Sequence, residues 1–327
     1  MSTKNQIFYL LMEHRGESVS GETIGSSLGI SRAAVWKGIN ALRKDGYPIE
    51  AIPSKGYCLS GSVDYLSAEE ISALLDNNGQ VMEILVFDSL ESTNKTAKEM
   101  ALTEPAHDIV FVANQQTAGR GRLGRSFYSP KNAGLYLSIL FRPRFDMRHS
   151  ILITTAAAVA VERAIEKLSP IKLTIKWVND LYYNEKKICG ILTEAISDFE
   201  TGRIGYVVLG IGVNCFDVAY PDELTGVAGN VGGGFSRNQL AAEIINQWYR
   251  LLPTIQDRKF LEEYRQRSFI LGQEILIYPA GNKEAEGVLA QALSIDENGG
   301  LVVRYLSGPD FGLTATLSGG EVSVRKV

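Results

Sequence analysis

The sequence predicts an α+β protein of several domains: an N-terminal winged helix-turn-helix, a central mixed α/β domain and a small C-terminal β-barrel of SH3-like size. Three observations predict it. Two short amphipathic helices meet at a glycine near the start of the chain, strands and helices alternate from about residue 83 to 270, and beyond that only short strands and turns follow. The expected boundaries are 1–62, a linker with one helix over 63–82, 83–270 and 271–327.

From Lys4 to His14, Ile7, Leu10 and Leu11 fall at helical spacing, and Gly-Glu-Ser then supplies a turn. In SGETIGSSLGISRAAVWKGINALRKDGY, Ser20 and Thr23 open a helix whose apolar face is Ile24 and Leu28. Gly29 makes a tight turn, and Ser31 caps a second helix that turns Val35, Ile39 and Leu42 inward. Off that face stand Arg32, Trp36, Lys37 and Asn40, the side chains a recognition helix presents to a major groove. YPIEAIPSKGYCLS gives two extended runs around a turn carrying Lys55, a wing. Residues 1–62 hold seven Lys/Arg against five Asp/Glu, a net of +2 in a chain of net −4. That asymmetry favours DNA over a plain interaction or dimerisation module.

Next, SGSVDYLSAEEISALL is a turn followed by a helix with Ser67 and Glu70 spaced as a capping box. EILVFDSL, DIVFVANQ, GLYLSILF, LTIKWVNDLYY, KICGILTEAI and RIGYVVLGIGVN read as strands, with helices over TNKTAKEMAL and 150–168. EILIYP, KEAEGVLAQALSI, GLVVRYL, FGLTATL and EVSVRKV form the barrel, with turns at Gly281, Asn298–Gly300, Gly308–Pro309 and Gly319–Gly320.

Composition excludes several classes. With 327 residues and 45% apolar content the chain needs no metal or disulfide staple. Cys58, Cys189 and Cys215 show no paired spacing, and His14, His107 and His149 are too scattered for a zinc site. The N-terminus lacks a secretory leader and ILITTAAAVAV is too short to span a bilayer, so a cytoplasmic protein with no membrane partner is expected.

The stretch that demands chemistry is QQTAGRGRLGRSF at 115–127. Gly119, Gly121 and Gly124 permit positive φ and close backbone approach, while Arg120, Arg122 and Arg125 offer forks that match phosphate or carboxylate oxygens. It is no Walker A loop, and its GxGxxG letters lie between loops rather than between a strand and a helix. An anion cage is expected in place of a mobile Arg-Gly surface segment or an RNA-contacting loop. KWVNDLYYNEKKICGIL reads as a strand ending at Asn179–Asp180, a hairpin at Asn184–Glu185 and a strand from Lys187, with Asp180 placed to hold a metal or orient Lys176. On spacing alone Lys186 and Lys187 read as a solvated turn, ESTN at 91–94 as ordinary N-capping, and GIGVN at 210–214 as structural.

In order, the winged helix, ESTN, QQTAGRGRLGRSFYSP, KWVNDLYYNEKKICGIL, GIGVN and the small barrel resemble the bifunctional biotin protein ligases that also repress biotin operons. The resemblance covers essentially the full length. It implies ATP, Mg2+ and biotin, a biotinoyl-5′-AMP intermediate that is also the corepressor, transfer to a lysine of a biotin carboxyl carrier domain, and an adenylate-promoted homodimer on operator DNA. By position it implies catalytic roles for Lys187, Arg120, Arg122, Arg125 and Asp180, the last also as metal ligand. It implies biotin contacts from Ser92, Thr93, Asn94, Gln116, Arg120, Gly121, Arg122, Lys187 and Gly190. Nucleotide contacts follow for Arg122, Arg125, Lys176, Asn179, Asn214 and Arg325, and DNA contacts for Ser20, Thr23, Ser31, Arg32, Ala33, Trp36, Lys37, Asn40 and Lys55. Val178 departs from the proline common in KWPND, and Leu123 from a further basic residue. Competing readings are a biotin-sensing repressor without ligase activity, a ligase whose winged helix no longer regulates, and a lipoate ligase.

Overall fold

The computed structural model describes residues 3–44, 47–60, 64–76, 82–143, 150–197, 204–279, 286–318 and 322–326, and divides into two units, Met1–Leu74 and Leu75–Val327. In the first unit, helices α1 (Thr3–Glu13), α2 (Gly21–Leu28) and α3 (Arg32–Lys44) pack around Ile7, Phe8, Leu11, Ile24, Val35, Ile39 and Leu42. Ser20 accepts from Thr23 N at 2.9 Å to start α2, and Gly29, at φ 64°, ends it in the left-handed conformation. A small antiparallel sheet of β1 (Ser18–Val19), β3 (Gly56–Leu59) and β2 (Ile49–Ile52), in that order, forms the wing.

The expected linker helix is α4 (Ala68–Ala73), and it is bonded into this unit. Ser67 accepts from Glu70 N at 3.1 Å, as the expected capping box requires, and the Glu70 carboxylate takes Arg15 Nη1 at 2.7 Å. Tyr47 Oη bonds Glu69 at 2.6 Å and Ser67 at 2.9 Å.

The second unit is built on a sheet ordered β4 (Met82–Phe87), β5 (Asp108–Ala113), β6 (Gly134–Phe141), β10 (Ile204–Asn214), β9 (Lys186–Ser197), β8 (Asp180–Tyr183), β7 (Thr174–Lys176). Only β4 and β5 pair in parallel among the described strands, joined through α5 (Thr93–Ala101). The expected strand LTIKWVND is two: β7 stops at Lys176, Trp177–Asn179 turn, and β8 returns so that Lys176 faces Asp180. The break is fixed by Asn179, which donates Nδ2 to Ile191 O and accepts from Ile191 N, each at 2.9 Å, in place of continuing a ladder.

Helix α6 (Ser150–Leu168) buries Ala156–Val161 completely, as expected of a stretch apolar on every face. Two helices were not read from the sequence: α7 (Arg237–Leu251), which packs on α6, and α8 (Phe260–Arg267). Their signal lies in SRNQ, where Ser236 accepts from Gln239 N at 3.1 Å and Gln239 returns a bond to Ser236 N at 2.9 Å, a complete capping box. The C-terminal segment is an antiparallel sheet ordered β14 (Thr314–Leu317), β13 (Leu301–Tyr305), β12 (Val288–Ile295), β11 (Glu274–Pro279), β15 (Val322–Lys326). The turns at Gly281 and Gly319–Gly320, residue His149 and the Arg325 side chain lie outside what is described. Among the described residues no helix is long and apolar enough to cross a membrane, and no His, Cys, Asp and Glu cluster is arranged around a metal.

Candidate active site

The register of the large sheet makes the floor. Side chains alternate along a strand, so Gly210 and Gly212 of β10 share a face, and across it Gly210 lies between Leu192 and Ser138 while Gly212 lies between Gly190 and Tyr136. Three glycines in adjacent rows leave a hollow. It is filled from above: a Cβ at Gly212 would come 2.5 Å from the Phe127 ring, and one at Gly210 would come 2.1 Å from Asn94 Oδ1. GIGVN, expected as merely structural, is thus open because the Asn94 amide and the Phe127 ring need the room.

The resulting cavity, about 150 Å³, is lined by Ser92, Thr93, Asn94, Gln116, Arg120, Gly121, Arg122, Arg125, Lys176, Asn179, Asp180, Lys187 and Gly190, so segments far apart in sequence converge. Phe127, Trp177 and Leu192 also line it without a role expected from the sequence, as do Gly210 and Gly212 of GIGVN. Asn214 lines an adjoining hollow of about 770 Å³ that shares Gln116, Phe127 and Lys187 with the first. There its Nδ2 donates to Gly229 O at 2.9 Å, bracing the segment after β10.

One end of the cavity is a neutral hydrogen-bond chain. Ser92 occupies the N-cap position of α5 but its hydroxyl makes no capping bond; Gln116 Oε1 instead accepts from Thr93 N at 2.9 Å and Thr93 Oγ1 at 3.2 Å. N-capping by ESTN itself is therefore corrected, because an amide from the far side of the cavity takes that role. Gln116 Nε2 donates to Ser129 Oγ at 2.9 Å. Ser138, fully buried, lies 2.7 Å from both Thr93 Oγ1 and Asn94 Oδ1. Asn94 Nδ2 donates to Glu194 at 2.8 Å, and Glu194 also takes Lys98 at 2.8 Å. Burial opposes ionisation of Glu194, but these two bonds outweigh it and hold its carboxyl below the usual range. The Thr93, Asn94, Gln116, Ser129 and Ser138 side chains are thus oriented before a ligand arrives.

The other end is cationic. The glycine-arginine loop folds on itself: Gly121 N donates to Arg125 O at 2.7 Å and Phe127 N to Gly119 O at 2.9 Å. Of the three glycines, only Gly124 uses positive φ, at 70°. Gly119 is required by close approach, since a Cβ would meet Phe127 O at 2.4 Å and Ser129 Oγ at 2.6 Å. The single helical turn at Arg122–Gly124 points Arg122 inward, where Nη1 donates to Asn179 Oδ1 at 3.1 Å and Nη2 is buried without a hydrogen-bond partner. Burial, only partly offset by Asp180, holds the guanidinium below its ordinary value. Such a group favours an incoming anion. Arg120 stands at the rim, half exposed and 3.7 Å from Glu91.

Lys187 is not a solvated turn residue. It enters β9 beside the Asn184–Glu185 turn, both at positive φ, and reaches Asp180 Oδ1 at 2.7 Å, while Lys186 stays exposed. Asp180 pairs with Lys187, and Lys176 stands across the β7–β8 pair from it. Among the described residues it is the one carboxylate lining this cavity.

In the N-terminal unit, Thr23, Ser31, Arg32, Ala33, Trp36, Lys37 and Lys55 are exposed and Asn40 is half-buried. Trp36, 63% exposed, is a large ring without a core role. Arg32 pairs with Glu22 at 2.7 Å in the open, and Ser20 is committed to capping α2.

Comparison with known proteins agrees with both units. The model of the Biotin/lipoate A/B protein ligase family matches residues 86–214, and that of an HTH domain matches residues 3–58. The bifunctional ligase/repressor BirA of Bacillus subtilis is 39% identical over 227 residues, 69% of this chain and 69% of that protein. This chain belongs to the BirA bifunctional ligase/repressor family. The BirA of Escherichia coli is 29% identical over 317 residues, 95% of this chain and 94% of its own length. In fold, the BirA-family chain is similar to a biotin protein ligase from Aquifex aeolicus in complex with biotin and ATP, with TM-score 0.60, 24% identity, and coverage of 75% of this chain and 99% of that one.

Proposed function

We propose that the protein is an ATP-dependent biotin–protein ligase that also represses transcription of biotin synthesis genes. The carrying observation is one cavity with a preset neutral hydrogen-bond chain at Thr93, Asn94 and Gln116, beside Ser92, and a cationic end at Arg122, Arg125, Lys176 and Lys187. The neutral end suits a ureido ring, and the cationic end suits a carboxylate beside a phosphate. In the first step a biotin carboxylate oxygen bonds to the α-phosphorus of ATP and pyrophosphate leaves, giving biotinoyl-5′-AMP. In the second the uncharged amine of an acceptor lysine bonds to the acyl carbon and AMP leaves. Both steps crowd anionic oxygens, so Lys187 and Arg122 act by neutralising charge in a fixed geometry. Arg120, at the rim, closes over the adenylate with Arg125, and Gly121 and Gly190 admit the ligand close to backbone.

Asp180 fits Mg2+ as a single protein ligand, because it is the one described carboxylate in the cavity and its Oδ1 makes no well-aligned hydrogen bond despite the nearby Lys187. The metal supplies charge neutralisation on the nucleotide's phosphates. Asn214, and Arg325 from the C-terminal sheet, complete the nucleotide side, and that sheet closes as an SH3-like barrel. The acceptor is a biotin carboxyl carrier domain in the cytoplasm. Adenylate binding orders the glycine-arginine loop, favours a homodimer and so raises operator affinity through Arg32, Trp36, Lys37 and Lys55, a coupling between two sites. Biotin-dependent release of pyrophosphate from ATP tests the ligase step; release with lipoate but not biotin would replace it by lipoate ligation.

A further inference from the structure

The Trp177–Asn179 turn carries Asn179 to Arg122 and Asp180 to Lys187, yet it belongs to no ladder. It is moored instead at three points. Asn179 is tied to Ile191 of β9, Trp177 Nε1 donates to Gly299 O of the β12–β13 turn at 2.9 Å, and Tyr264 Oη donates to Val178 O at 3.1 Å. Tyr264 is wholly buried on α8, close enough to feel the charges of both Asp180 and Arg122. Helix α8 is itself rigidly held. Arg163 grips Glu263 with bonds of 2.6 to 3.2 Å, Arg267 lies 2.5 Å from Glu162, and Arg265 donates to Ile295 O at 2.9 Å. Just beyond it Phe269 N donates to Ile175 O of β7 at 3.2 Å, and the Phe269 ring meets Tyr182 at 5.4 Å.

We infer that Tyr264 is a positioning residue for the adenylation site, acting through the Val178 peptide on Asn179 and thence on Arg122. The hydroxyl fixes the plane of a peptide whose carbonyl has no strand partner. Without it, Val178 O is an unsatisfied buried acceptor and the peptide rotates to relieve that cost. Asn179 Oδ1 then shifts from the Arg122 guanidinium it accepts from. A misplacement of about 1 Å in such a contact lowers a rate by as much as ~100-fold.

The inference rests on the ligase reading, and the test separates the two. Adenylate formation is followed as biotin-dependent pyrophosphate release for the unsubstituted protein, Tyr264→Phe, Arg122→Ala and the double variant, with thermal melting of each. Tyr264→Phe keeps the ring and is expected to melt within a few degrees of the parent. Its kcat should fall about 10- to 100-fold with the biotin KM within about threefold. In the Arg122→Ala background the same change should add less than about twofold, because its route to the reaction is already cut. Full activity of Tyr264→Phe, a loss that multiplies with that of Arg122→Ala, or loss of the fold would each overturn the positioning role. No pyrophosphate release by the unsubstituted protein would overturn the ligase reading and this assignment together.

Discussion

Gly210→Ala places a methyl group where the cavity's polar end is fixed. Its Cβ would lie 2.1 Å from Asn94 Oδ1, 2.8 Å from Cγ and 3.0 Å from Nδ2, so the amide must swing away. That breaks the 2.7 Å contact with Ser138 and the 2.8 Å bond to Glu194. A neutral hydrogen bond contributes about 1 kcal/mol and one to a carboxylate about 2 kcal/mol, together about 3 kcal/mol. A ligand that needs this amide in place loses that amount, about 100-fold in affinity. Calorimetric titration with biotin measures it. Gly205→Ala is the control on the same strand, since its Cβ would meet nothing closer than Ile196 O at 3.8 Å. Biotin affinities of the two variants within threefold of each other would refute the claim that Asn94 and the glycine floor form the biotin end.

Lys187→Ala should slow adenylate formation at least about 100-fold in a pyrophosphate-release assay, because it removes a neutralising cation and leaves Asp180 uncompensated. Trp36→Ala should lower operator affinity in a gel shift while the melting temperature moves by no more than a degree or two, since the ring is 63% exposed and packs no core. The Glu162 carboxyl is pushed up from 4.5 to about 7 by burial, which outweighs the Arg267 guanidinium. The native state thus keeps a proton that the unfolded chain releases in that window, so stability falls as pH rises from about 4.5 to 7 and levels above it. Glu162→Gln should remove this component, a difference of roughly 2–3 kcal/mol seen by comparing urea midpoints of parent and variant at pH 5 and 8.

The residues legible in the sequence were those whose type announces a task. The interleaved glycines and arginines of 115–127, Ser31 ahead of an amphipathic helix, and the Asn184–Glu185 turn are local signals, and the fold uses each where it was expected. Lys187 was ambiguous from spacing alone because Lys186 beside it does face solvent; only the pairing of β8 with β9 aims one lysine at Asp180. Gly210, Ser138 and Leu192 form a row across three strands, and such a row depends on register, which no local window carries. Tyr264 escaped for the same reason: its hydroxyl meets Val178, 86 residues earlier, across a helix that was not read. The break in LTIKWVND is easily missed because alternation holds through Leu173, Ile175 and Trp177 and fails only at Val178, which the turn buries beside Trp177.

The central claim is that this cavity joins biotin to a protein lysine through an acyl adenylate. Mass spectrometry of a biotin carboxyl carrier domain, incubated with the protein, biotin and MgATP, tests it most directly. The account predicts one biotinyl group on one lysine of the acceptor, dependent on both biotin and ATP. An acceptor of unchanged mass, from a protein that binds biotin under the same conditions, would contradict it.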